Sequence, residues 1–174
     1  MQLERFIALA CLLVVFVEGY CQADNDAWAI LDQPDFGISY PKSWTPDQTG
    51  KMGTAFVLFS EQINSDFRNN VNLIVQNLNG LGYDLDKYVT LSEEQIKTMI
   101  GNSQIIESKR IKSATDEFQE VIFTGEQGIL HLKWRQRYWV KGEKAFVLTF
   151  TASQATYDQY KQVGGKILES FKLK

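Results

Sequence analysis

The 174-residue sequence contains one histidine and two cysteines, and it has no strong excess of either charge. A single histidine excludes metal sites built on several imidazoles and leaves any Ser-His-Asp triad only His131 to work with. No G-x-S-x-G nucleophile elbow accompanies it. His131 also stands inside the alternating stretch Leu130-His131-Leu132-Lys133-Trp134, whereas catalytic groups gather on loops at the ends of rigid elements. With 18 Lys and Arg against 21 Asp and Glu, the net charge of -3 argues against a general polyanion binder and against a nucleic-acid role resting on phosphate neutralisation. Repeats, low-complexity tracts and linkers are missing too. The local excess of asparagine, Asn64, Asn69, Asn70, Asn72, Asn77 and Asn79, begins no N-x-Ser/Thr acceptor site.

Only one apolar run is long and unbroken, and it lies at the start. Phe6 to Val17 follows a short polar opening with Arg5 and precedes Glu18-Gly19-Tyr20-Cys21-Gln22-Ala23, whose small residues at Cys21 and Ala23 fit a cleavage site. These 12 residues are too few to cross a hydrocarbon layer, which needs roughly 20. Residues 1–23 are therefore expected to be a signal peptide, with export to the periplasm or medium and no transmembrane segment in the mature chain. A lipoprotein modified on Cys21 is disfavoured because Tyr20 is bulky where that motif takes a small residue. Both cysteines, Cys11 and Cys21, fall before the proposed cut, so disulfides, thiol chemistry and cysteine-ligated zinc are excluded from the mature chain. Cleavage removes one cation and two acids from the net charge of -3, leaving -2.

The remainder, 24–174, is long enough to bury a core as one domain, and the chain is 44% hydrophobic and 13% aromatic. Phe36 to Pro41 reads as a short extended segment, turned by Pro41 and Trp44-Thr45-Pro46. Thr54 to Ser60 and Asn70 to Leu78 read as strands. Asp84 is placed to cap a helix carrying Leu85, Tyr88, Val89, Ile96, Met99 and Ile100 as one stripe, with Gly101 at its C-terminal cap. Three long strands are expected between Ser103 and Ala152, with turns at Gly125 to Gly128 and Lys141 to Glu143. Thr156 and Gln159 form a capping-box pattern before a last helix whose apolar residues recur at three and four. Gly164 and Gly165 each disfavour a helix interior by about 1 kcal/mol relative to alanine. Their presence implies that this helix approaches the sheet closely.

The stretch Leu132-Lys133-Trp134-Arg135-Gln136-Arg137-Tyr138-Trp139-Val140 mixes cations and aromatics as a binding surface would. In an extended chain Leu132, Trp134 and Tyr138 face one way, while His131, Lys133, Arg135, Arg137 and Trp139 face the other. A three-residue turn would place Trp134 opposite Phe150, Tyr138 opposite Phe146 and Arg135 opposite Thr149. The expectation is an aromatic core side and a solvated cationic side, with Lys133, Arg135 and Arg137 as a candidate partner- or anion-binding patch. Other compact polar groups have simpler readings. Glu93-Glu94 suits a solvated helix face, Asp84 and Asp86 suit a cap and first turn, and Gly80-x-Gly82 reads as a turn, since no P-loop lysine follows.

The order of Phe36-Gly37-Ile38-Ser39-Tyr40-Pro41 with Trp44, then Phe67-Arg68-Asn69-Asn70-Val71-Asn72, the helix near 85–100, the long meander and a last helix ending Glu169-Ser170-Phe171 resembles the PsbP-like superfamily. That superfamily includes the extrinsic P subunit of photosystem II and bacterial periplasmic DcrB-like proteins. The resemblance covers essentially the whole chain after the leader. It implies an α+β fold, an antiparallel β-sheet flanked by helices on both faces. It also implies a non-enzymatic role in interaction, assembly or the envelope, with another envelope or secreted protein as partner and no cofactor. No catalytic or metal motif transfers residue by residue. A small-ligand domain or hydrolase, using His131 or a pocket between helix and sheet, is the competing expectation.

Overall fold

Alternation in Asn70 to Asn77 sends Val71, Leu73 and Val75 to one side of a strand and Asn72, Ile74 and Gln76 to the other, and both sides find cover. That two-sided burial governs the whole architecture. The computed structural model describes residues 27–61 and 67–174; the expected signal peptide lies outside the described residues. In chain order the elements are β1 (Trp28–Asp32), β2 (Phe36–Pro41), β3 (Thr45–Asp47), β4 (Thr54–Phe59), β5 (Asn70–Asn77) and α1 (Leu85–Met99). There follow β6 (Gly101–Lys112), β7 (Glu117–Gln127), β8 (Leu130–Lys141), β9 (Lys144–Ser153), α2 (Tyr157–Ser170) and β10 (Lys172–Leu173).

Seven strands form one antiparallel sheet in the order β3-β4-β5-β9-β8-β7-β6, and β1-β2-β10 form a small second sheet. Helix α2 and the small sheet cover one face, where Ile38, Phe56, Leu148, Phe150, Ile167 and Leu168 are buried together. Helix α1 covers the other, over Val121, Phe123, Leu132, Trp134, Tyr138 and Val147. The expected sheet flanked by helices on both faces is what the chain forms. Both edges of the large sheet resist further pairing: β3 has three residues and contains Pro46, and β6 is bulged and studded with Glu107, Lys109, Arg110 and Lys112.

The meander differs from the expectation in strand number and register. It has four strands, because Ser113 to Asp116 is an additional turn, closed by the Ser113 N–H donating to the Asp116 carbonyl at 2.8 Å. Gly125 is inside β7 rather than in a turn; a Cβ there would lie 2.5 Å from Ile100 Cγ2, so the α1–β6 connection passes over it too closely for a side chain. Lys141 pairs with Lys144 across a two-residue turn, not a three-residue one. Gly142 takes φ +57° at the first central position, where a II′ turn calls for glycine. Trp134 consequently opposes Thr151, Tyr138 opposes Val147 and Arg135 opposes Phe150.

The helices follow their patterns closely, with corrections at the ends. Asp84 caps α1, its Oδ1 accepting from the Lys87 N–H at 2.8 Å. The helix closes on Ile100, and Gly101 already belongs to β6. Tyr88, Val89 and Ile96 are buried as expected, but Met99 turns outward. At α2 the capping box does not form: the Thr156 hydroxyl bonds to Ser153 Oγ and Asn69 Oδ1 instead of to the helix. The close approach implied by Gly164 is present, since a Cβ there would lie 2.8 Å from the Phe150 ring.

Candidate functional site

Strand alternation puts Lys133, Arg135 and Arg137 on the same face of β8, as expected, but that face is not freely solvated. It runs beneath the flank of α2, so the solvated-face expectation is corrected. Arg137 is 7% exposed. Its Nε donates to Glu120 Oε2 at 2.7 Å, its Nη1 donates to the Leu168 carbonyl of α2 at 3.1 Å, and its guanidinium lies 4.9 Å from the Phe118 ring centroid. Arg135 Nη2 lies 2.9 Å from Glu120 Oε2 and 3.1 Å from Oε1, while its buried Nε has no partner among the described residues. Lys133 reaches over the first residue of α2, with Nζ 4.3 Å from the Tyr157 ring centroid.

Glu120, 2% exposed on β7, is the residue that organises this cluster, and it is absent from the expected set. A signal for it exists. Once the two-residue turn at Gly128 and Ile129 pairs Gln127 with Leu130, the register brings Glu120 directly beside Arg137. Burial pushes the Glu120 carboxyl up, but hydrogen bonds from Arg137 and Arg135, together with their charges, outweigh burial and hold it below the usual carboxylate range. An anion is therefore already supplied to the cations from inside the fold. Arg137 is an interior side chain, not a surface contact. Lys133 and Arg135 retain partial exposure, and Lys109, half-exposed with Nζ 3.8 Å from Glu120 Oε1, joins them at the rim.

The remaining candidates are placed apart from this cluster. His131 is well exposed, with Nδ1 3.4 Å from Glu126 Oε1. The acids of α1 tie the helix to β6: Asp86 pairs with Arg110, and Glu93 Oε1 accepts from the Ser108 hydroxyl at 2.6 Å. Gly80 and Gly82 both take positive φ in the loop before α1, consistent with a turn. Among the described residues no cluster of three or more His, Cys, Asp or Glu is arranged to hold a metal ion, and no helix is long and apolar enough to cross a membrane.

Two concave regions among the described residues lie near these elements. A cleft of about 760 Å³ at one end of the sandwich is floored by Phe146 and Phe171 and edged by lysines; Lys144 pairs there with Asp35 at 2.8 Å. A narrower groove follows the flank of α1 on the opposite face from Glu120.

A seven-stranded antiparallel sheet with one helix on each face, and an N-terminal hairpin packed beside the last helix, is the PsbP-like fold. The protein superposes on CyanoP, the PsbP of the cyanobacterium Synechocystis sp. PCC 6803, with a TM-score of 0.65 at 12% identity, over 90% of this chain and 99% of that one. It is similar also to LpqN of Mycobacterium tuberculosis, a protein involved in cell envelope biogenesis, with a TM-score of 0.64 at 11% identity over 84% and 90% of the two chains. PA94 of Pseudomonas aeruginosa, described as a putative regulator, gives 0.59 at 8% identity over 82% and 94%. No family model matches the sequence, and no curated protein matches it. At such identities the likeness is one of fold.

Proposed function

We propose that this chain is an exported, non-enzymatic accessory protein of the cell envelope or its surroundings, which acts by presenting a surface to another protein. The observation that carries this reading is how the charged groups are used. Glu120 is shared by Arg135 and Arg137, with Arg137 also holding α2, and Asp86 and Arg110 hold α1. His131 meets Glu126 rather than a nucleophile. Outward beside this cluster lie Lys133 and Lys109, the latter also paired with Glu107 at 2.8 Å, and they form a rim with the edge of Arg135 between them. Such a rim suits an acidic patch on a partner. The leader pattern at residues 1–23 and the likeness to an envelope-biogenesis protein support the compartment.

The test is a crosslinking pull-down from the native envelope or medium, comparing wild type with Lys109→Glu/Lys133→Glu. Arg137 is left intact because its loss would perturb the fold. A partner captured by wild type, released by added salt and lost in the double variant is the expected result. Capture of the same partner by both proteins with equal salt sensitivity would remove this rim from consideration.

A further inference from the structure

Among the described residues the face of the sheet beneath α1 is incompletely closed. Between one flank of the helix and strands β5, β9 and β8 lies a cavity of about 220 Å³, with Ile74, Ile96, Phe123, Tyr138 and Val147 among its walls. It shares Gln76, Tyr88, Ser92 and Gln95 with a hollow of about 410 Å³ at the start of the helix. At the other end it shares Met99, Ile100, Phe123 and Gln136 with one of about 490 Å³ that reaches Trp134 and the β7–β8 turn. The three hollows thus trace one groove along α1 from Tyr88 to Met99, about 16 Å at 1.5 Å per residue. Alone the central cavity is small for a ligand, but with its extensions it enters the range of roughly 300–1,000 Å³ typical of ligand sites.

The lining decides the class of guest. No ionisable acid or base other than tyrosine borders the two hollows nearest the helix start, and Glu126 is the one charged residue of the third. Several polar groups along it are already partnered: the Tyr88 hydroxyl donates to Gln76 Oε1 at 2.6 Å, the Tyr138 hydroxyl donates to Gln136, and the Gln136 amide donates to the Thr149 hydroxyl at 3.1 Å. A charged or strongly polar guest would be stripped of water without replacement partners. A hydrocarbon guest needs no such partners and can rest on Ile74, Ile96, Phe123 and Val147. Apolar side chains also stand out at both ends of the groove, with Leu81 52% exposed at one and Met99 79% exposed at the other. The Gln95 amide, which has no partner among the described residues, lies at the rim, where a neutral head group would sit.

From the elongated shape, a lining whose one charge is Glu126 at the far end, and apolar mouths, we infer that this groove binds a single acyl chain of a lipid with an uncharged head group. The site is on the opposite face from Lys109 and Lys133, so it stands or falls independently of the partner rim. The probe is 1-monolauroylglycerol, followed by native mass spectrometry, and its ω-brominated analogue, followed by quenching of tryptophan emission in the purified protein. Stoichiometric binding is expected, with quenching confined to Trp134 and therefore abolished by Trp134→Phe. Ser92→Phe, which places a ring in the groove, should weaken binding by roughly tenfold or more. Gln95→Glu, at an exposed position, provides a second variant that should weaken it by introducing charge at the mouth, should Ser92→Phe fail to fold. Lys109→Glu/Lys133→Glu should bind the lipid as wild type does. No binding, or binding unaffected by both groove variants, or quenching that survives Trp134→Phe, would overturn the assignment.

Discussion

Removing Arg137 would leave Glu120 buried beside one arginine that already has an unpartnered buried Nε. Truncating one member of a buried charge pair destabilises by about 3–5 kcal/mol, so Arg137→Ala should lower the urea midpoint sharply. His131→Ala, at a well-exposed position, should stay within about 0.5 kcal/mol of wild type in the same measurement. Glu120 also makes stability depend on pH. Its folded-state pKa is depressed, so its contribution is present above the unfolded glutamate value of about 4.3 and is lost as pH falls through the folded value. Glu120→Gln should therefore be less stable than wild type at neutral pH, and urea midpoints of the two should draw together as pH falls below about 4. The cations themselves were legible in the sequence, and so was their shared face. Their burial was not, because alternation says which residues share a face and says nothing of what covers it.

At the scale of elements the glycines of α2 make opposite predictions from the same propensity. Glycine to alanine inside a helix ordinarily stabilises by about 1 kcal/mol. At Gly164 the new methyl would meet the Phe150 ring at 2.8 Å, within a core where overpacking costs about 1–3 kcal/mol, so Gly164→Ala should lower the thermal midpoint. At Gly165 the nearest atom is Arg135 Nη1 at 3.2 Å, the end of a flexible chain, and Gly165→Ala should be much the better tolerated of the two. Asp84→Ala should destabilise by about 0.5–2 kcal/mol through the lost cap. Cap and stripe were legible at α1 because both depend on residues within a turn or two of each other. At α2 the expected box failed because Asn69, far off in sequence, and Ser153 offered the Thr156 hydroxyl other partners. The meander was harder: β6 and β7 merge in the sequence because Ser113-Ala114-Thr115-Asp116 contains no glycine or proline to mark the turn.

Over the whole molecule, one sheet serves two cores, with Trp139 in the core under α2 and Trp134 in the core under α1. If the two cores form one cooperative unit, the Trp134→Phe protein, whose remaining Trp28, Trp44 and Trp139 all lie in the core under α2, should give a urea transition by tryptophan emission that coincides with its transition by circular dichroism. Separated transitions within one variant would show that the faces unfold independently. The hydrophobic periods, the turn glycines and the order of elements were set by residues close together in the chain, and they sufficed for a sheet flanked by helices. The fate of the cations was set by Glu120, 17 residues from Arg137, and by the carbonyl of Leu168, 31 residues from it. The groove arises likewise from α1 lying across strands drawn from distant parts of the chain. Local sequence specifies which side chains share a face; burial, charge neutralisation and cavities exist only between faces, and packing alone decides them.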